Sequence, residues 1–250
     1  MRDNYDGHAG AERREPIITQ QDYLTLSRLS KLLKKSVEKH LREQNASILD
    51  VGCGKKPYQP FFLGKSAVYL GVDIDPEELA DVLCTGEKLP FKESCFSACL
   101  CLQVLEHVDE PDAVIDEIFR VLKPDGLLFL STHGNWPIHA SQDYWRWTEQ
   151  GLKKLLTNFH IHESQRCGGP LASMIQLSEL FIPRGTFGAV IILLLNILGD
   201  LLDRVAWFNA KLPHIATNYL ITARKIATSE HIVADYLCTP SSHFLTKKKV

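Results

Sequence analysis

A glycine turn followed by a carboxylate gives this chain the spacing with which a parallel sheet binds a nucleoside. The apolar run 47–51 leads into Gly52-Cys53-Gly54, and Asp73 ends a second apolar run nineteen residues after that turn. Glycines let backbone amides approach a ligand closely, and a carboxylate at a strand end can accept hydrogen bonds from both ribose hydroxyls. A dinucleotide fold would have a third glycine at position 57, where this chain has Pro57. The spacing therefore predicts a nucleoside site and places a nicotinamide dinucleotide second.

The segment 133–148 holds the second set of residue types that could do chemistry. It contains two histidines and three tryptophans and follows the apolar run 127–131. The aromatic rings could stack on a sugar or another ring, and His139 or His133 could accept a hydroxyl proton as a general base. The alternative is a lid packed by its own tryptophans, in which Arg146 pairs with Asp143. The residue types alone leave both interpretations open.

Helical and strand patterns alternate along most of the chain. Apolar residues recur every three or four positions over 22–44, which predicts an amphipathic helix. Continuous apolar runs predict buried strands, and Pro76, Asp109 and Thr148 stand where they would begin helices. The predicted strands are residues 47–51, 67–72, 96–102, 127–131 and 218–223. Strands that alternate with helices predict an α/β protein with a doubly wound, mostly parallel sheet.

Composition and charge exclude several classes of protein. The 250 residues are 45% apolar and 23% charged, which argues against disorder over most of the length. Twenty-eight Lys and Arg stand against thirty Asp and Glu, so no net positive field favours nucleic acid as a partner. Seven cysteines without a zinc-type spacing are typical of buried thiols in a reducing compartment, and the first twenty residues lack the apolar core of a secretory signal. We therefore expect a cytoplasmic protein.

The segment 168–213 differs from the rest of the chain because residues 187–198 are almost wholly apolar. Asn196 and Asp200 interrupt the longer run 187–202, which argues against a membrane-spanning helix. Two interpretations stay open: helices that pack on the sheet or on a second copy of the chain, and a helix that lies on a membrane surface. The predicted organisation is a mobile polar arm at 1–20, a domain at 21–226 with an apolar helical insertion at 168–213, and a polar tail at 227–250.

Five ordered sequence blocks resemble the class I S-adenosylmethionine-dependent methyltransferases, in the group called type 11. The blocks are residues 48–54, 71–74, 87–91, 104–108 and 120–126. Residues 219–225 are similar to the last strand of that family. The resemblance implies a seven-stranded Rossmann-like sheet with helices on both faces and S-adenosyl-L-methionine as the cofactor, and the apolar segment 168–213 would be a helical insertion before the last strand.

The resemblance also implies roles for individual residues of the cofactor site. The glycine turn would hold the methionine part, the carboxylate after the second strand the ribose, the next loop the adenine, and a residue after the fourth strand the region near the sulfonium. In that order the residues are Asp50, Gly52 and Gly54; Asp73 with Ile74; Thr85, Gly86 and Glu87; and Gln103. For a hydroxyl acceptor, His139 is the first candidate base and His133 the second.

Three positions depart from the family pattern. Lys56 stands in place of the third glycine, Thr85 in place of an acidic residue near the adenine, and Ser97 in place of an aspartate in the fourth strand. Lys56 would crowd the methionine carboxylate or pair with it. These departures leave open a protein of this fold that binds the cofactor without turnover.

Gln103, Glu106 and His107 repeat the spacing with which some quinone-pathway O-methyltransferases bind a divalent ion through Glu, Glu and His. The first ligand is here an amide, which binds such an ion less well than a carboxylate does. We therefore predict no metal at these residues.

The predicted function is O-methylation of a small molecule, a glycan or a lipid-linked glycan. The Asp-Tyr-Trp-Arg block at 143–146 is similar to one in methyltransferases of bacterial surface-polysaccharide pathways, which favours a glycan acceptor. Two alternatives stay open: a non-catalytic cofactor-binding or membrane-docked protein, and an NAD-dependent oxidoreductase. Nucleic acid is a minor alternative acceptor, since no basic stripe interleaves with aromatic residues.

Overall fold

Seven strands form one sheet at the centre of the computed structural model, which describes residues 10–76, 78–183, 185–203 and 216–226. The strands are β1 (Ala46–Val51), β2 (Ser66–Asp73), β3 (Val82–Leu83), β4 (Phe96–Leu102), β5 (Leu122–His133), β6 (Phe159–Arg166) and β7 (Asn218–Lys225). Their spatial order is β3-β2-β1-β4-β5-β7-β6. The first five strands are parallel, and β7 runs antiparallel to both of its neighbours.

Helices cover both faces of the sheet. They are α1 (Ala11–Arg14), α2 (Tyr23–His40), α3 (Pro111–Val121), α4 (Glu149–Leu155), α5 (Pro170–Glu179) and α6 (Thr186–Asp203), with single 3-10 turns at Gln59–Phe62 and Leu105–His107. The apolar side of α2 packs in one hydrophobic core, and those of α3 and α4 pack in a second. Alternate residues of β4 contribute to the two cores. The predicted doubly wound, mostly parallel α/β sheet is thus confirmed.

The predicted strands agree with the structure to within a few residues. β4 has the predicted bounds because its residues are buried from Phe96 to Cys101. β5 begins at Leu122, earlier than predicted, because Leu122 pairs with Phe96 before the register shifts. Its pairing resumes with Leu127 opposite Ala98, so residues 123–126 lie within the strand rather than before it.

Two elements differ from the prediction. No helix begins at Pro76 among the described residues, because hydrogen bonds hold the segment after β2 against the glycine turn in an irregular conformation. The Leu79 N–H donates to the Gly54 carbonyl at 3.0 Å, and the Gly71 N–H donates to Asp81 Oδ2 at 2.7 Å. β6 was absent from the predicted strands because this edge strand reads Phe-His-Ile-His-Glu-Ser-Gln-Arg and is mostly polar.

The predicted mobile arm is wrong for residues 10–20, which pack against the domain. Arg14 Nη1 donates to the Pro57 carbonyl at 2.9 Å, and Ser30 Oγ donates to the Arg14 carbonyl at 2.6 Å. These bonds fix α1 beside the loop that follows the glycine turn. Residues 1–9 of the predicted arm lie outside the described residues. The next helix, α2, ends at His40 rather than at residue 44, because Leu41 is extended and buried.

Two helices, α5 and α6, occupy the predicted apolar insertion up to residue 203. Residues 204–213 of that insertion and the predicted tail at 227–250 lie outside the described residues. The two helices pack on each other and on α2. Within the described part of the chain, α6 is the one helix long and apolar enough to cross a membrane by length and composition, and 22% of it is buried.

Candidate functional site

A cavity of about 510 Å³ lies at the carboxyl ends of β1, β2 and β4. The strand order reverses between β1 and β4, and this reversal is where open α/β sheets bind their ligands. The cavity wall includes seven of the nine predicted cofactor residues: Gly52, Asp73, Ile74, Thr85, Gly86, Glu87 and Gln103. The structure therefore brings together residues that are up to 51 positions apart in the sequence.

The carboxylate of Asp73 is held in place by backbone hydrogen bonds at the end of β2. Its Oδ2 accepts from the Gly54 N–H at 2.9 Å, and its Oδ1 accepts from the Asp75 N–H at 3.1 Å. Each carboxylate oxygen has a second acceptor site that these bonds leave open to a ligand hydroxyl. The Gly54 backbone N–H therefore holds the Asp73 carboxylate in place, and Asp73 itself lines the cavity.

Gly52 is required by both its backbone conformation and its neighbour Val104. Its φ is +65°, in the left-handed region, and a Cβ added there would lie 2.3 Å from Val104 Cγ2. The Gly52 backbone therefore lies directly against the Val104 side chain, and both residues line the cavity.

Gly52→Ala is expected to lower the free energy of unfolding by more than the backbone strain alone. Gly64→Ala is the matched control, since Gly64 has a φ of +76° with nothing within 4 Å of an added Cβ. The left-handed conformation costs a non-glycine residue about 1–2 kcal/mol, and the clash with Val104 adds about 1–3 kcal/mol in the first variant alone. Urea unfolding measures both costs. Equal losses in the two variants would contradict the close approach to Val104.

Besides Gly54, Asp50 is the predicted cofactor residue that lies outside the cavity wall, and its contact with the methionine part stays a prediction. Its side chain is buried and accepts a hydrogen bond from the Tyr69 hydroxyl at 2.6 Å. Burial raises the pKa of Asp50 to about 7. Asp50 thus links β1 to β2 behind the glycine turn.

The three departures from the family pattern have separate local roles. Lys56 takes a φ of +52°, and its Nζ lies 2.6 Å from Asp81 Oδ2, so it pairs with that carboxylate. Thr85 lines the cavity. Ser97 Oγ accepts from Lys123 Nζ at 3.1 Å and contacts Ser47 Oγ at 3.3 Å, which joins β1 to β4.

Arg13 of α1 is a site residue that the sequence reasoning missed. Its guanidinium donates a hydrogen bond to Gln103 Oε1, at the cavity wall. It also lies near Tyr58, whose pKa burial raises to about 12 against the opposing effect of the Arg13 charge. No sequence signal marks Arg13, because the polar segment around it has no periodicity. Its place depends on the packing of α1 beside Pro57.

Three histidines lie together beside this cavity. The His139 ring centroid is 5.0 Å from that of His107 and 5.1 Å from that of His133. His139 Nδ1 lies 2.9 Å from Asp143 Oδ2, and Arg146 forms an ion pair with the same carboxylate. This ion pair holds the pKa of Asp143 well below its usual range. The predicted pairing of Arg146 with Asp143 is confirmed, and it orients a histidine.

The two candidate bases differ in their surroundings. His133 is buried at the end of β5, with its Nε2 3.2 Å from Gln103 Nε2 and 3.5 Å from Glu106 Oε1. Burial lowers the pKa of His133 to about 3, so it stays neutral and is a weak base. The side chain of His139 is 34% exposed.

Glu106 and His107 point to different partners. Thr132 Oγ1 donates to Glu106 Oε2 at 2.8 Å, and burial raises the pKa of this carboxyl. His107 Nδ1 donates to the Gln142 carbonyl at 2.6 Å. Among the residues that the structure describes, no group of three or more His, Cys, Asp or Glu side chains is arranged to hold a metal ion.

A second cavity, of about 530 Å³, lies between the loop 19–22, Trp136 and the apolar insertion. Leu180, Ala189 and Ile192 form its apolar wall. Trp136 lines this cavity and stacks on His133, with ring centroids 5.4 Å apart and planes 9° apart. The histidine cluster is therefore next to a second, partly apolar space.

Comparisons with known proteins match the part of the chain that forms most of the wall of the first cavity. Residues 49–130 match the type 11 family model, described as a methyltransferase domain. An uncharacterized methyltransferase of Mycobacterium leprae is 35% identical over 96 residues, which are 34% of this chain and 36% of that protein. A ubiquinone biosynthesis O-methyltransferase of Dechloromonas aromatica is 33% identical over 100 residues, which are 34% of this chain and 43% of that protein.

A solved structure has the same fold over most of the chain. It is a 1,6-didemethyltoxoflavin-N1-methyltransferase of Burkholderia thailandensis with bound 1,6-didemethyltoxoflavin and S-adenosylhomocysteine. It is 22% identical, covers 80% of this chain and 79% of its own, and has a TM-score of 0.52. At 22% identity this likeness is one of fold alone. The chain spans less than half the length of each of the two curated relatives.

Proposed function

We propose that the protein, whose residues 49–130 match a methyltransferase domain, is a class I S-adenosylmethionine-dependent methyltransferase of type 11 that transfers the methyl group to an oxygen of its acceptor. We propose a small molecule, a glycan or a lipid-linked glycan as that acceptor. The observation that carries the proposal is the oriented His139–Asp143 pair, which lies against His107 in the wall of the cofactor cavity.

The residues of the first cavity suit an adenosyl donor. The volume of about 510 Å³ lies within the usual range for a ligand pocket. Asp73 would accept hydrogen bonds from the two ribose hydroxyls, Gly86 and Glu87 would lie beside the adenine, and Gln103 would lie near the sulfonium. A nicotinamide dinucleotide is disfavoured, because Pro57 stands where such a fold has its third glycine and because residues 49–130 match a methyltransferase domain.

His139 is the residue best suited to remove the acceptor proton. Both groups nearest to Nδ1, Asp143 Oδ2 at 2.9 Å and the Pro137 carbonyl at 3.4 Å, are acceptors, so Nδ1 would carry the proton and leave the lone pair on Nε2 as the basic site. A bound sulfonium donor supplies the leaving group, so the protein mainly has to align the acceptor and exclude water. The segment 133–148 and its tryptophans would do both. His133, with its lowered pKa, would orient the acceptor or Gln103 rather than take the proton.

The second cavity supports an acceptor with both a ring and an apolar part. Trp136 offers a flat face on which a sugar or another ring can stack. Ala189 and Ile192 offer an apolar surface for the rest of the molecule. A lipid-linked glycan has both parts, whereas a free monosaccharide has only the first.

A transfer assay with a labelled methyl donor tests this function. The protein is incubated with S-adenosylmethionine that carries a tritiated methyl group. Each reaction also contains one acceptor: a polyprenyl-linked oligosaccharide, a free monosaccharide or a catechol. We expect base-stable label in the first acceptor and loss of activity in His139→Ala. Label that is released by mild base indicates a carboxylate acceptor instead. Donor binding with no transfer to any acceptor favours the non-catalytic alternative.

Arg13→Ala is expected to lower the affinity for S-adenosylhomocysteine by about tenfold. A charge-assisted hydrogen bond contributes about 1.5–3 kcal/mol when it is shielded from water, and less when it is exposed. The reason is that Arg13, now bonded to Gln103, would bind the methionine carboxylate. The affinity for 5′-methylthioadenosine, which lacks that carboxylate, should not change. Glu12→Ala in the same helix is the control. An equal loss of affinity for both ligands would contradict this role.

A further inference from the structure

The helix α6 buries a polar residue and exposes a row of large apolar residues, the reverse of the pattern expected for a helix in water. Its buried residues are Gly188, Ile192, Asn196 and Gly199. Its exposed large apolar residues, which we call the outer stripe, are Phe187 (80% exposed), Val190 (50%), Leu194 (62%), Ile197 (43%), Leu198 (44%) and Leu201 (55%). Their spacing of three and four residues places them along one side of the helix.

The inner side of α6 is fixed to the domain over the second half of the helix. Asn196 Nδ2 donates to the Ile18 carbonyl at 2.7 Å. Arg28 of α2 forms ion pairs with Asp200 at 3.1 Å and with Asp203 at 2.6 Å. Asn196, Asp200 and Asp203 therefore bond inward, and the helix cannot rotate to bury the outer stripe. The same bonds argue against insertion across a bilayer, because they hold one side of α6 on the folded domain.

The outer stripe is long and purely apolar. An 18-residue helix is about 27 Å long, and the stripe extends over most of it. No charged or hydrogen-bonding side chain stands among its six residues. Phe181, 89% exposed, adds a further apolar side chain in the connection before α6. Six apolar side chains in one row, each at least 43% exposed, make this side of α6 a candidate interaction site.

A second copy of the chain is a poor occupant for this stripe. A strip about 27 Å long and about 10 Å wide, the width of one helix, covers roughly 270 Å², whereas a standard protein interface buries about 800 Å² on each partner. Protein interfaces also have a polar rim and about one hydrogen bond per 100–200 Å². A stripe without polar groups lacks these features, but it suits the acyl chains at a bilayer surface.

We propose that the outer stripe of α6 docks on the surface of a phospholipid bilayer, with the helix lying parallel to the membrane plane. Burial of apolar side chains in the headgroup and acyl region supplies the binding free energy. The domain stays outside the bilayer, attached through the inner side of α6. This docking is independent of the reaction that the first cavity performs.

Flotation of the full chain with neutral phosphatidylcholine vesicles tests the docking. Neutral lipid excludes simple electrostatic attraction of the basic residues 247–249. The wild-type protein should float with the vesicles, and the triple variant Val190→Ser, Leu194→Gln, Leu201→Gln should lose at least tenfold in the bound-to-free ratio. The matched control Leu63→Gln, Val68→Thr changes two apolar residues, 68% and 46% exposed, elsewhere on the surface and should float like the wild type.

Binding of S-adenosylhomocysteine provides a check on folding, because the triple variant leaves the first cavity unchanged. Wild-type protein that stays below the vesicles overturns the proposal, as does a triple variant that floats as well as the wild type. Sedimentation without lipid distinguishes the other occupant. A stable wild-type dimer that the triple variant separates into monomers would show that a second copy covers the stripe, which also overturns the proposal.

Discussion

Asp73→Asn is expected to lower the affinity for S-adenosylhomocysteine by about 10- to 100-fold, since hydrogen bonds to a charged group contribute about 1.5–3 kcal/mol. The carboxylate accepts from two backbone N–H groups and still has an acceptor site for each ribose hydroxyl. An asparagine has one acceptor oxygen and an NH₂ group, so it cannot accept from both Gly54 and Asp75. It therefore loses the orientation as well as the charge. Isothermal titration calorimetry measures the change.

The control for this loss is Asp75→Asn, two residues later. Asp75 is exposed and is absent from the cavity wall, so its substitution removes a nearby negative charge without touching the ribose position. Its affinity should stay within about twofold of the wild type. Equal losses in the two variants would mean that charge near the cavity matters and the position of Asp73 does not.

His139→Ala is expected to lower kcat by about 10²- to 10⁴-fold with a hydroxyl acceptor, the usual contribution of a general base. Asp143→Asn should cause a smaller fall, because it removes the partner of Nδ1 and leaves the imidazole in place. The affinity for S-adenosylhomocysteine should be unchanged in both variants. His160→Ala, an exposed histidine of β6, is the control.

Retention of kcat in His139→Ala would show that no base acts at this position. Loss of kcat in His133→Gln alone would assign the role to the buried histidine, despite its lowered pKa. The two variants together therefore distinguish His139 from His133 as the base. A carboxylate acceptor would need neither histidine.

The sequence predicts the sheet well where burial is continuous. β4 is buried on both faces, so its apolar run marks it without ambiguity, and Asp73 follows from its place at the end of β2. The polar edge strand β6 gives no such signal, because its side chains are only partly buried. Residues 133–148 indicated chemistry by type, but the contact of His139 with His107 depends on how the segment folds back.

The contacts at the site that the sequence does not predict join residues that lie far apart in the sequence. Asp50 bonds to Tyr69 across a diagonal of the sheet, because the register of β1 and β2 pairs Tyr69 with Ile48, two residues before Asp50. Arg13 reaches Gln103, ninety residues later, because α1 packs on the glycine-turn loop. Neither partnership has a local pattern, so the type and spacing of neighbouring residues could not predict it.

Titration of the wild-type protein with S-adenosylhomocysteine, and in parallel with NAD, tests the central claim most directly. The cavity at the carboxyl ends of β1, β2 and β4 predicts saturable binding of one S-adenosylhomocysteine per chain, competed by S-adenosylmethionine, and no measurable binding of NAD. Tight binding of NAD, or no heat with S-adenosylhomocysteine, would contradict an adenosyl-donor site in this cavity.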